Sequence, residues 1–159
     1  MRVIVLSDTH GDTDAIDSLF ARCGRPDLII HCGDMDRDCD YIELTKPEGV
    51  PLLAVCGNND WHSDRLDHIV TAIGEFRFYI THGHQERVKS DLRGVLYAAR
   101  TNNCQVVLHG HTHRPVDRLE EDIRIINPGA LSGKDPTYAE MILQKDSLSV
   151  QIVSLYESK

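Results

Sequence analysis

The sequence predicts an α/β fold of four layers, α–β–β–α, in which two mixed β-sheets pack face to face beneath outer helices. The N-terminal half alternates short apolar runs with helical patterns, which is typical of strand–turn–helix units. The C-terminal half places several strands in succession without long helices between them. At 159 residues the chain should form one domain over 1–159 with a self-sufficient core.

The first strand is expected at Arg2–Ser7, where β-branched apolar residues indicate burial on both faces. Asp12 or Asp14 then caps a helix that runs to about Cys23. The polar stretch 35–49 is ambiguous and supports only a short helix at about 41–44. Two further strands are expected at 27–31 and 51–56.

A hairpin is predicted in the second half, because the strands 68–73 and 75–81 are separated by Gly74. Apolar residues at helical spacing predict a helix over 88–100. The remaining strands are expected at 105–108, 123–126, 138–143 and 148–155.

Composition excludes several classes of protein. With 17 basic and 25 acidic residues the formal charge is −8, which disfavours non-specific binding to nucleic acid or anionic membranes. The longest apolar run, 50–56, is far shorter than the ~20 residues of a membrane span. No signal peptide is recognisable. We therefore expect a cytoplasmic protein without a membrane partner, for which nucleic acid matters only as a small nucleotide substrate.

The cysteine content also agrees with a cytoplasmic protein. There are five, an odd number, and no two of them form a C-x-x-C pair. This pattern suggests neither a disulfide framework nor a cysteine zinc site. Reduced, buried thiols are expected.

Polar side chains follow the ends of five predicted strands, each after or beside a glycine. Ligands of open α/β sheets bind at the carboxyl ends of strands, so these side chains should converge on one site. Packing alone seldom calls for so many histidines, whereas metal or phosphate chemistry does. The candidates are Asp8, His10, Asp34, Asn58, His82, His111 and His113.

This ligand set contains only nitrogen and oxygen donors. It suits Mn, Fe, Co, Ni or Zn, of which we favour Mn, and it excludes Fe–S clusters and Cu(I). Seven ligands are too many for one ion but suit two ions sharing a carboxylate. Two metals about 3.5–4 Å apart clamp the attacking and leaving oxygens of a displacement at phosphorus.

Five short motifs in this order resemble the five blocks of the calcineurin-like metallophosphoesterases, and most closely those of the small phosphodiesterases of the type called YfcE or MJ0936. The resemblance covers nearly the whole chain, and Asn127-Pro128-Gly129-Ala130 also resembles that subgroup. The blocks are Asp8-x-His10, Gly33-Asp34, Gly57-Asn58-Asn59-Asp60, His82-Gly83-His84 and Gly110-His111-Thr112-His113.

The resemblance implies a metal-dependent phosphodiesterase that hydrolyses small or promiscuous diesters by attack of a metal-bridging hydroxide. Asp34 would bridge the two ions, and Asp34, Asn58 and His84 would take part directly in catalysis. One metal would be held by Asp8, His10, Asp34 and His113, and the other by Asp34, Asn58, His82 and His111.

One position departs from the family pattern. Many members carry a histidine, acting as general acid, where this chain has Asn59. The proton for the leaving group would then come from His84 or water, or the substrate would need a good leaving group. His84 could instead contact the substrate phosphate or serve a structural role. Asp60 is expected to cap a turn, and Trp61 either lines the pocket or packs.

Two other functions remain open. The resemblance extends to Vps29, a protein-interaction scaffold of similar size and fold, although the seven matching ligand positions favour catalysis here. A metal-storage or sensing module would not need a two-metal site with an open face. The short chain leaves little beyond the core, so we expect a shallow site and a small substrate. A homo-oligomer is compatible with the sequence.

Overall fold

Two mixed β-sheets of five strands each pack against one another in the computed structural model, which describes residues 1–156. Three helices accompany them in this part of the chain. The predicted four-layer α/β architecture is confirmed.

The first sheet is built around the buried N-terminal strand. In spatial order it contains β10 (Ser147–Ser154), β9 (Thr137–Gln144), β1 (Arg2–Leu6), β2 (Leu28–His31) and β3 (Leu52–Ala54). The strands β1, β2 and β3 run parallel, whereas β9 and β10 are antiparallel to their neighbours.

The second sheet begins with the predicted hairpin, whose strands pair antiparallel with Ile73 opposite Phe76. In spatial order the sheet contains β4 (His68–Ile73), β5 (Phe76–Thr81), β6 (Val106–Leu108), β8 (Ile123–Asn127) and β7 (Val116–Glu120). Strands β5, β6 and β8 run parallel to one another.

Three apolar clusters hold the layers together. The central one joins the facing sides of the sheets, with Val5 and Ile30 from the first and Phe78 from the second. A second cluster packs helices α1 (Thr13–Cys23) and α2 (Asp36–Thr45) on the outer side of the first sheet. The third packs α3 (Arg93–Thr101) on the outer side of the second sheet.

The prediction of only a short helix at 41–44 was wrong, because α2 covers Asp36–Thr45. Its first residues are polar, and Met35 supplies no side-chain cap. Asp60 supplies the cap from a different loop, accepting hydrogen bonds from the backbone N–H of Met35 at 2.8 Å and of Asp36 at 2.7 Å. A cap so distant in sequence cannot be recognised from the local pattern.

The predicted helix over 88–100 begins later, at Arg93. Residues 88–90 belong to a run of turns that follows His82, and Arg87 within that run has a φ of +57°. The Asp91 carboxylate accepts from the Arg93 N–H at 2.9 Å at the true helix start. Val88 still packs in the cluster beneath α3, so the apolar spacing identified buried positions rather than helical ones.

The strand β7 (Val116–Glu120) was not predicted. Its central residues are exposed and it pairs with β8 alone at the edge of the sheet. An exposed edge strand lacks the apolar alternation on which strand prediction depends.

The five cysteines are buried and free, as expected. No helix within residues 1–156 is long and apolar enough to cross a membrane.

Candidate metal centre

Side chains from both sheets meet beyond the carboxyl ends of the parallel strands. Asp8 Oδ1 lies 3.0 Å from His113 Nε2 and 3.8 Å from His10 Nε2. These three residues form one group of potential ligands whose donor atoms all lie within 4.8 Å of one another. Asp8, Asp34 and His82 form a second group by the same measure.

The other predicted residues adjoin these groups. Asn58 Oδ1 lies 3.1 Å from His82 Nε2. The ring of His111 packs edge-on against that of His82, with centroids 4.9 Å apart. The ring of His84 lies 5.5 Å from His82, centroid to centroid. The structure therefore brings together the full predicted set, with His84 beside it.

Asp8 is the member common to both groups, whereas Asp34 belongs to the second and approaches His10 of the first with its other oxygen. Asp34 Oδ1 lies 3.5 Å from His82 Nε2 and its Oδ2 lies 4.0 Å from His10 Nε2. Burial would raise the pKa of Asp34, but the hydrogen bond from the Asn59 backbone N–H and the neighbouring His82 outweigh it, so the pKa is lowered. The carboxylate is therefore charged near neutrality and available to a cation.

Backbone strain is concentrated at this edge. Several of the proposed ligands adopt positive φ, a region that non-glycine residues seldom occupy and that costs free energy. The tight turns after the strands impose this conformation and aim the side chains into the site. The residues are Asp8 (54°), His10 (47°), Asp34 (67°), His111 (68°) and His113 (58°).

The glycines in two of the motifs provide space for close approach. A Cβ at Gly110 would lie 1.9 Å from Ser7 Oγ and 2.7 Å from Asp8 Oδ2. A Cβ at Gly57 would lie 2.1 Å from Asp34 Oδ1. Each glycine thus lets a neighbouring loop reach one of the two central carboxylates.

We expect Gly110→Ala to destabilise the metal-free protein by about 1–3 kcal/mol, because the new methyl group must displace Ser7 or Asp8. Urea unfolding monitored by circular dichroism measures the change. Adding Ser7→Ala removes the Oγ that the new methyl group would contact and should restore part of the lost free energy of unfolding. An unchanged unfolding midpoint in Gly110→Ala would contradict the close packing of this loop.

The hydrogen bonds of Asp8 leave one of its oxygens unused. Oδ2 accepts from Ser7 Oγ at 2.6 Å and from the His111 N–H at 3.0 Å. Oδ1 is buried and accepts no hydrogen bond among the described residues. A buried carboxylate oxygen without a donor is costly unless a cation is near. The donor set therefore fits divalent metal ions.

The tautomer of His82 gives a second indication. Its Nδ1 lies 2.8 Å from the carbonyl oxygen of Cys32, which can only accept, so Nδ1 carries the proton. Nε2, the other ring nitrogen, lies 3.1 Å from Asn58 Oδ1 and 3.5 Å from Asp34 Oδ1. With Nδ1 anchored to a carbonyl, Nε2 is the ring nitrogen that can bind a metal ion beside these oxygens.

The histidines His111 and His31 are held neutral. Burial, then His82 and Lys89, lower the pKa of His111 to about 4. Burial also lowers the pKa of His31 to about 4. The Nδ1 of His31 accepts from the Gly33 N–H at 3.1 Å, so it supports the turn before Asp34 and is not aimed at the candidate site.

Asp60 caps the turn after β3, as predicted. Its carboxylate accepts from the N–H of Gly57 at 2.6 Å and of Asp34 at 3.1 Å, besides the two bonds to the start of α2. It thereby fixes the loop that carries Asn58 against the one that carries Asp34.

Two supporting residues escaped prediction as site residues. Ser132 Oγ donates to the carbonyl oxygen of Asp8 at 2.7 Å. Buried Asn127 donates from Nδ2 to the Gly110 carbonyl at 2.9 Å and to Thr112 Oγ1 at 3.0 Å, which shapes the loop of His111. Only the Asn-Pro-Gly-Ala resemblance signalled Asn127, and no sequence signal marks Ser132.

Comparison with known proteins identifies relatives in sequence and in structure. The chain is 31% identical to the phosphodiesterase YfcE of Escherichia coli, over 94% of this chain and 91% of that protein. A predicted phosphoesterase of known structure from Streptococcus pneumoniae superposes with a TM-score of 0.81 at 26% identity, covering 97% of this chain and 89% of the other.

Vps29 shares the fold. The zinc complex of Vps29 from Entamoeba histolytica superposes with a TM-score of 0.74, covering 98% of this chain and 99% of the other, at 18% identity. At that identity the likeness shows the architecture alone.

A family model settles the classification. The calcineurin-like phosphoesterase superfamily domain matches residues 1–146, which contain every strand end that contributes to the site. The chain therefore belongs to the calcineurin-like phosphoesterase superfamily.

Proposed function

We propose that the protein is a metal-dependent phosphodiesterase that hydrolyses small phosphate diesters. The observation that carries this proposal is the convergence of three histidine nitrogens on the buried Oδ1 of Asp8, which accepts no hydrogen bond among the described residues and lies 3.0 to 3.9 Å from His113, His10 and His82. Membership of the phosphoesterase superfamily and the likeness to a phosphodiesterase support it.

We assign the ligands in two sets that share Asp34, whose two oxygens face different histidines. His10 and His113 belong to the partly exposed set, and His82 belongs to the buried set. The first set is Asp8, His10, Asp34 and His113, and the second is Asp34, Asn58, His82 and His111. Manganese is the ion we favour, and Fe, Co, Ni or Zn would suit the same donors.

When bound, two such ions lower the pKa of water so that a nucleophile forms near neutrality, and they neutralise charge on the phosphoryl oxygens. The chain positions the other groups. His84 Nδ1 is buried and makes no hydrogen bond among the described residues. We place His84 in contact with a phosphoryl oxygen of the substrate, where it would orient the ester.

The scaffold hypothesis is the alternative, and the likeness to Vps29 supports its fold. A scaffold would not need to keep two carboxylates and three histidines in strained backbone conformations at strand ends. The retained ligand set therefore favours hydrolysis.

The direct test is hydrolysis of bis(p-nitrophenyl) phosphate by protein stripped with chelator and then reloaded with Mn²⁺. We expect activity only after reloading, and a faster reaction with the diester than with p-nitrophenyl phosphate. Phosphodiesterase activity that survives exhaustive chelation, or no activity with any of the candidate metals, would contradict the proposal.

A further inference from the structure

A cavity beside the candidate metal centre is lined by an exposed tryptophan. Trp61 follows the Asn58-containing turn, and 83% of its surface is exposed. It lines a cavity of about 530 Å³ together with Asn58, Ser63 and His84. Because Asn58 and His84 belong to both the cavity and the proposed site, a substrate held at the metals would extend towards Trp61.

The position of Trp61 is fixed by its neighbour. Asp60 accepts four backbone hydrogen bonds, from Gly57, Asp34, Met35 and Asp36. The turn is closed further by a hydrogen bond of 3.3 Å from the Ser63 N–H to the Asp60 carbonyl. The backbone that carries this large aromatic side chain at the surface is therefore part of a hydrogen-bonded turn.

Besides His62 and His84, the cavity is lined by one arginine and two carboxylates, and these three already have partners. Arg65 pairs with Asp36 and Asp40 on α2. Asp67 Oδ1 accepts from Cys56 Sγ at 3.2 Å, and the oxygens of Asp60 accept from backbone N–H groups. The described lining thus offers no unpaired lysine or arginine for a second phosphate.

By contrast, Lys89, Arg114 and Arg118 line a separate cavity of about 740 Å³ on the outer side of the second sheet. A ligand with additional phosphate groups would match that surface better. The cavity beside Trp61 instead suits an uncharged, planar group, because an exposed aromatic ring stacks on flat π-systems.

We propose that Trp61 stacks on an aromatic ring in one ester group of the substrate, which makes the substrates aryl or nucleoside diesters. This inference rests on the proposed phosphodiesterase function. Trp61 is then a residue that determines specificity rather than one that acts on phosphorus.

The test uses phosphate monoesters with a single ester group, so that only one ring can occupy the cavity. Methyl phosphate, phenyl phosphate and thymidine 5′-phosphate are compared as inhibitors of the Mn²⁺-loaded protein. We expect the two aromatic esters to bind about tenfold more tightly than methyl phosphate. Trp61→Ala should abolish this difference in affinity, and Trp61→Phe should retain part of it.

Tyr97→Ala is the matched control, since Tyr97 is an aromatic side chain with 73% exposure on α3 and lines neither cavity. It should leave the difference in affinity unchanged. Tighter inhibition by the thymidine ester than by the phenyl ester would show that the cavity prefers a nucleoside. Equal inhibition by the two would show that it accepts any aromatic ring.

Fluorescence gives a readout that does not need catalysis, because Trp61 is the single tryptophan of the chain. Phenyl phosphate should change its emission and methyl phosphate should not. If the protein proves inactive on every diester but this difference persists, the proposed function fails and the aromatic subsite stands. Hydrolysis with equal inhibition by all three esters would overturn the subsite. Emission that changes with protein concentration instead of ligand would also overturn it, by placing Trp61 between two copies of the chain.

Discussion

Asp34→Ala should abolish nearly all metal-dependent hydrolysis and leave the protein unable to retain two ions per chain. Asp34 is the only residue shared by the two proposed ligand sets, and its two oxygens face His82 and His10. Removing it withdraws one negative charge from both sets at once. Elemental analysis after gel filtration counts the ions, and the p-nitrophenyl diester assay measures the activity.

Metal-dependent stability gives a second readout of the same variant. An ion that binds only the folded state adds about 2.7 kcal/mol at a hundred times its Kd. Excess Mn²⁺ should therefore raise the melting temperature of the starting protein relative to chelator, and this gain should be largely lost in Asp34→Ala. In chelator the two proteins should differ far less.

Further variants distinguish the effect of the charge of Asp34 from the effect of its place in both ligand sets. Asp34→Asn keeps the shape but removes the charge, and it should resemble Asp34→Ala in metal content. His10→Ala should lose chiefly one ion, because His10 belongs to a single ligand set. Asp40→Ala removes an exposed carboxylate that pairs with Arg65 and should bind metal normally. Two ions retained by Asp34→Ala would rule out a bridging role.

Asn59 should make the enzyme depend strongly on the leaving group. An amide does not titrate, so it supplies no proton to a departing alkoxide or phenoxide. In the structure Asn59 Nδ2 donates to Asp34 Oδ2 at 2.7 Å, and its backbone N–H donates to Oδ1 at 3.0 Å. Asn59 thus positions the central carboxylate instead of acting as an acid.

The measurement compares methyl p-nitrophenyl phosphate with methyl phenyl phosphate. Both carry one aromatic ring, so any stacking on Trp61 is similar, but nitrophenolate leaves without a proton more readily than phenolate. We expect a much higher kcat/KM for the nitrophenyl ester. Asn59→His should raise the rate of the phenyl ester selectively, within the roughly 10²–10⁴-fold typical of a general acid.

Two controls identify the source of the effect. Asn59→Ala loses the hydrogen bond to Asp34 and should slow both esters to a similar extent. His84→Ala should slow both if His84 contacts phosphate, and only the phenyl ester if His84 donates the proton. Similar rates for the two esters in the starting protein, with no selective gain in Asn59→His, would show that the proton comes from another group.

The sequence alone identified the candidate centre because its signal is local. Each ligand lies within a few residues of the end of an apolar strand, and the geometry of parallel strands brings such ends to one edge. The hairpin about Gly74 and the helix capped by Asp12 were predicted for the same reason, since the turn or cap is adjacent in sequence. The family resemblance supplied the division of the ligands into two sets.

Only the tertiary structure decided the features that depend on residues far apart in the chain. The start of α2 depends on Asp60, and the edge strand β7 exists because β8 offers it hydrogen-bond partners. Asp8 was a candidate from the sequence, but only the structure shows that Ser7 and His111 both donate to its Oδ2. Its Oδ1 is left without a hydrogen bond among the described residues. From the sequence, Asn59 indicated only that a general acid is lacking at this position. The structure shows in addition that its amide donates a hydrogen bond to Asp34. Local patterns record burial and turns, whereas the partner of each polar atom is chosen when distant loops meet, and that choice determines the chemistry of the site.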